Sequence, residues 1–132
     1  MLGIGFPRGI VDRIPTSQVI AWVDADPDER ASLVAKLVIN DFSSDETLAS
    51  RIVGAYGDRV EVASALRSEY MSGVVWGSAS THWEKLATSV EEATKHTKLP
   101  KLWRWATDVA RVLRMMAEGE RQWEAERDLR WD

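Results

Sequence analysis

The chain has 132 residues, 45% apolar and 29% charged, a mix that suits one soluble domain with one hydrophobic core. Its net charge of -4 is spread without blocks: residues 1–60 are mildly acidic, and residues 101–132 balance seven basic against seven acidic side chains. That distribution disfavours general nucleic-acid binding, which needs clustered cations, and the absence of cysteine excludes disulfides, thiolate metal sites and a cysteine nucleophile.

The first fifteen residues, "MLGIGFPRGIVDRIP", are partly apolar, but Pro7, Arg8, Asp12 and Arg13 interrupt them, so they lack the unbroken centre of a signal peptide. "GIGFPRG" has three glycines, yet no preceding strand and no phosphate-loop lysine, so it is not a nucleotide motif. No apolar run reaches the length of a membrane span. The expected location is the cytoplasm, with no cofactor.

From there the period is helical. "PTSQVIAWVDA" offers Thr16 or Ser17 as an N-cap and puts Val19, Ile20, Trp22 and Val23 on one side. "DPDERASLVAKLVI" starts with Asp26 as N-cap, Pro27 at the first helical position and acids in the first turn; Leu33, Val34, Leu37 and Val38 form its expected apolar face. "NDFSSDE" reads as a loop, after which Ser44 is placed to cap a helix carrying Leu48, Ile52, Val53 and Tyr56. Gly57 stands where a C′ glycine belongs. Val62, Leu66 and Tyr70 recur at spacing four.

"GVVWGSAS" breaks the pattern. Gly73 and Gly77 permit a sharp change of direction, Ser78 or Ser80 caps the next helix, and Trp76 and Trp83 are expected to clamp this crossover onto the core. Trp83, Leu86, Ala87 and Val90 then form a stripe. Pro100 opens a last helix with Leu102, Trp105, Ala106, Val109, Leu113 and Met116 on one face. Run to Trp131, that helix is about 48 Å long. The fold predicted is all-α: about six helices as three stacked hairpins over roughly 15–39, 45–73 and 79–131, in one domain over 1–132 with a long C-terminal helix.

Few residues invite chemistry. His82 and Glu84 lie two apart and point to different sides of a helix, while His82 and His96 are separated by about 21 Å along one, too far for a shared metal ion. Trp83, Trp103 and Trp105 resemble core or interface anchors more than a ligand cage; Trp103 and Trp105 cannot share one narrow stripe, so one is expected to face a groove or a partner. Arg104, Arg111, Arg114 and Arg121 make a basic row, but Asp108, Glu118 and Glu124 interleave with it, as on a solvated charged face. No nucleophile–base order stands out.

The segments "VVWGSASTHWEKL" and "LPKLWRWATDVARVLRMMAEGERQWEAERDLRW" resemble the C-terminal helical segments of some large bacterial multidomain proteins: a Trp–Gly/Ser turn, a Ser and an aromatic, then a long last helix ending in Glu/Arg-rich sequence. "IPTSQVIAWVDADPDERASLVAKLV" is similar to their preceding repeat. The resemblance spans most of the chain and carries no catalytic motif; Ala79 stands where those turns have proline. It implies a HEAT-like helical module beside a nucleotide-hydrolysing or effector region, in proteins often linked to phage defence.

The expected function is a non-enzymatic protein-interaction or scaffold module. The alternatives are a small inhibitory regulator of the antitoxin or immunity type and a nucleic-acid-binding helical domain. The surface expected to contact a protein partner or a sister chain is the tail, residues 118–132, where Trp123, Leu129 and Trp131 sit among charges that a solvated helix would not need to interrupt, with Trp103 as a further anchor.

Overall fold

A computed structural model describes residues 9–72 and 78–131, with the side chains at 130 and 131 outside that description. The glycine-rich start, the Trp76 part of the crossover and the Trp131 side chain lie outside the described residues. Among the described residues six α-helices follow a short 3-10 turn at Ile10–Arg13: α1 Thr16–Ala25, α2 Pro27–Leu37, α3 Leu48–Tyr56, α4 Val60–Met71, α5 Ala79–Thr94 and α6 Pro100–Trp131. There is no strand among the described residues, and none of their helices is long and apolar enough to cross a membrane.

Local chemistry sets most boundaries. Pro27 fixes the first turn of α2, with Asp26 as its N-cap and Asp28 and Glu29 near the positive end of its dipole. The Asp26 side chain makes no capping bond. In α5 the Ser78 hydroxyl accepts from Thr81 N–H. Three expectations are corrected. Thr16 is already helical and Pro15 occupies the α1 cap position. Thr47, not Ser44, caps α3: its Oγ1 accepts from Ser50 N–H, while Ser44 holds a tight turn through Glu46 N–H. Gly57 ends α3 at φ -67°, so glycine is needed there for space and not for a left-handed turn; a Cβ would lie 2.5 Å from the Val53 carbonyl oxygen.

Helix α5 packs along α6, α2 packs on α4 and α3 on α6, with smaller contacts of α1 with α2 and of α3 with α1, α2 and α4. The most extensive contact is the antiparallel α5–α6 pair. One core joins them, built from Val23, Val34, Ile52, Val62, Leu66, Val90, Val109 and Leu113. The buried face of α2 is Ala31, Val34 and Ala35, continued by Val38 just past its end, which shifts the expected stripe: Leu33 turns outward, as Trp22 does on α1. Alanine lets helices approach closely, so the i, i+3, i+4, i+7 row with two alanines packs, and the row with more leucine does not.

Trp105 is the aromatic centre. It is 4% exposed, its indole N–H donates to the Ala63 carbonyl at 3.2 Å, and its ring meets Phe42 at 5.0 Å and Tyr70 edge-on at 6.4 Å. A second long-range tie fixes the α5–α6 turn: the Asp45 carboxylate accepts from the Thr97 hydroxyl and from Lys98 N–H. Those hydrogen bonds, Thr97 first, hold the Asp45 carboxyl below the usual carboxylate range.

Candidate functional site

On α6, burial stops where the apolar pattern stops. Leu102, Trp105, Ala106, Val109, Ala110, Leu113 and Ala117 are buried, and none of residues 118–129 is. The helix nevertheless runs unbroken through Gly119, whose Cα faces open space.

Polar contacts hold α6 against α5 beyond the core. Arg114 makes a bidentate pair with Glu91, at 2.8 and 2.6 Å, and its Nε lies 3.4 Å from Glu84. Arg121 reaches Glu84 at 3.3 Å and Glu118 at 3.0 Å. Glu124 accepts from the hydroxyls of Ser78 and Ser80 at the start of α5. Hydrogen bonding from Arg114 keeps the Glu91 carboxyl below its ordinary range. Glu124 is the last tie to the body among the described residues; Ala125, Glu126, Arg127, Asp128 and Leu129 are all exposed.

The tail therefore splits in two. Residues 118–124 are clipped to α5, and beyond them the exposed Arg127 and Asp128 line an open groove with Ser78 and Ala79 at the start of α5. Trp123 is 56% exposed, and the Arg127 guanidinium stacks over its ring at 4.7 Å. Leu129 is 76% exposed. The two do not share a face, since positions six apart point to different sides of a helix. Trp123 belongs to a row with Met116, Glu120 and Arg127; Leu129 shares its side with Met115, also exposed.

Trp103 is 57% exposed at the base of α6, about 30 Å along the axis from Trp123, so the structure does not bring these anchors together. Of the two tryptophans that could not share a stripe, Trp105 points in and Trp103 out. Trp83 packs against the core and meets His82 edge-on at 4.8 Å, and the three tryptophans form no cage. His82 lies in the first turn of α5, and its buried Nε2 has no hydrogen-bond partner. No group of three or more potential metal ligands is present among the described residues. The arginine row is largely engaged with carboxylates: Arg111 with Asp108, Arg114 with Glu84 and Glu91, Arg121 with Glu84 and Glu118.

A second surface escaped the sequence reading. Val11, Ile14, Trp22, Leu33 and Leu37 line a groove of about 380 Å³ between the 3-10 turn, α1 and α2, with Val19 and Val34 at its floor. The Arg30 guanidinium lies 4.5 Å over the Trp22 ring and donates to the Trp22 carbonyl. The available signal was the competing Ala31–Ala35 row, which leaves Leu33 on the outer side of α2.

Comparison with known protein families, characterised proteins and solved structures finds no match.

Proposed function

We propose that this chain is a non-enzymatic helical interaction module, a scaffold unit whose partner-contacting surface is the distal part of α6. The observation that carries the reading is the placement of Trp123 and Leu129: large apolar side chains, both mostly exposed, on a helix that outlasts its own core. A helix end with no packing role is marginal in water, and hydrophobic exposure on it costs solvation that a partner would recover. The polar clip from Glu124 to Ser78 and Ser80 holds the segment in a fixed direction, which lowers the ordering cost of docking. The HEAT-like resemblance supports the same reading, as a unit within a larger bacterial defence-type assembly. Carboxylates already occupy most of the arginine row, which favours a protein over a nucleic acid as the partner.

The test is site-specific photo-crosslinking in cells, with the reactive residue placed at 123, at 129 and, as a control, at the exposed Val60 of α4. Discrete adducts from 123 and 129 but not from 60 support the reading. No adduct from either tail position, or equal labelling from 60, refutes it.

A further inference from the structure

We propose that the occupant of this surface is a second copy of the same chain, paired antiparallel along distal α6 with the two Trp123 side chains at the centre. The proposal rests on the reading of α6 as an interaction surface and adds the partner. Met116, Glu120, Trp123 and Arg127 follow one another at spacings of four, three and four, the repeat that keeps side chains on one seam between crossing helices. Glu120 and Met116 are half-buried, and Trp123 and Arg127 are exposed. The seam therefore runs outward from the edge of the body, with Glu120, Trp123 and Arg127 lining an open groove beside Ser78 and Ala79.

Its charge order distinguishes the possible geometries. A twofold pair is isologous, so each contact occurs twice. In a parallel pair Glu120 would meet Glu120 and Arg127 would meet Arg127, like against like. In the antiparallel register Glu120 lies opposite Arg127 of the second copy. That pair then has opposite sign, twice over. The seam thus complements itself in one direction only. Within each chain Arg127 already stacks on Trp123, so its guanidinium is held beside the seam.

The experiment is charge exchange on the full chain, read by analytical ultracentrifugation. Wild type should show a concentration-dependent monomer–dimer equilibrium that weakens as salt rises. E120R and R127E should each raise the dimer dissociation constant at least about tenfold, because each places like charges face to face twice. Mixed in equal amounts, the two variants should recover near wild-type affinity as a heterodimer, and the double variant E120R/R127E should recover it alone. Circular dichroism on each variant establishes that the fold is kept. A mixture no tighter than its components, or a wild type that stays monomeric at every concentration, overturns the proposal. A photoreactive residue at 123 separates the two levels of the argument. An adduct of twice the chain mass supports the second copy. An adduct with a different protein overturns the second copy and leaves the surface standing. No adduct overturns both.

Discussion

Trp103 and Trp105 are two residues apart on one helix, and the structure predicts that replacing them has opposite consequences. Trp105→Ala removes a side chain that is 4% exposed, and such truncations cost about 3–5 kcal/mol. Included in that figure is the indole N–H bond to Ala63, about 1 kcal/mol, and the ring contacts with Phe42 and Tyr70, about 0.5–1.5 kcal/mol each. Trp105→Phe keeps an aromatic ring there but loses the donor and part of the volume, so about 1–2 kcal/mol is expected. Trp103→Ala removes a side chain that is 57% exposed, and its cost should stay within about 0.5 kcal/mol. Domains of this kind are stable by about 5–15 kcal/mol, so Trp105→Ala could remove most of the margin. Urea denaturation followed by far-ultraviolet circular dichroism measures all three. If Trp103→Ala cost as much as Trp105→Ala, the placement of α6 about its axis would be wrong, and with it every assignment of an exposed row on that helix.

Other outcomes follow from the same structure. The far-ultraviolet spectrum should be that of a protein more than half helical, and a substantial strand component would contradict the fold. Leu66→Ala and Leu113→Ala should each cost about 2–5 kcal/mol, and His82→Ala, at a half-buried position, clearly less; a larger loss for His82 would show that its environment has been misjudged. Asp45 and Glu91 are held below their ordinary carboxyl range in the folded state, so their contribution is complete above the unfolded value and is lost as pH falls through the folded one. Stability should therefore be level from neutral to about pH 5 and fall below about pH 4, with a smaller fall for Asp45→Asn; an identical acid profile in that variant would remove Asp45 from the account. Titration with duplex DNA or RNA at physiological salt should show no binding tighter than about 100 μM, and micromolar binding lost on Arg111→Glu with Arg114→Glu would support a nucleic-acid function.

The elements were legible because strong local signals mark them. Proline at 27 and 100, the Asp26 cap position and the spacing of Val62, Leu66 and Tyr70 are short-range features that tertiary packing did not override. The faces were less legible. Leu33 and Trp22 were expected inside because large apolar residues dominate a hydrophobic pattern, whereas α2 is buried through Ala31 and Ala35, whose value lies in close helix approach. Two hydroxyls, Ser44 and Thr47, could each cap α3, and the choice fell to Thr47, which also bonds Ser50 and the Asp41 carbonyl. The exposed tryptophan at 123 could be picked out from its charged neighbours. The clip that aims it could not, because Glu124 meets Ser78 and Ser80 across more than forty positions of sequence, and no periodicity reports such a contact.

The most direct measurement truncates the chain after Ala117 and compares thermal melting with sedimentation. The cut leaves every core side chain of α6 in place and removes the Arg121 and Glu124 contacts, which are exposed or half-exposed and worth at most about 1 kcal/mol each. The melting temperature should therefore fall by no more than about 10 °C, while self-association or partner binding is lost, and Trp123→Ala in the full chain should reproduce most of that loss. A truncated chain that unfolds would place residues 118–132 in the core. A truncated chain that stays folded with its assembly state and crosslinking partners unaltered would contradict the claim that distal α6 is the interaction surface.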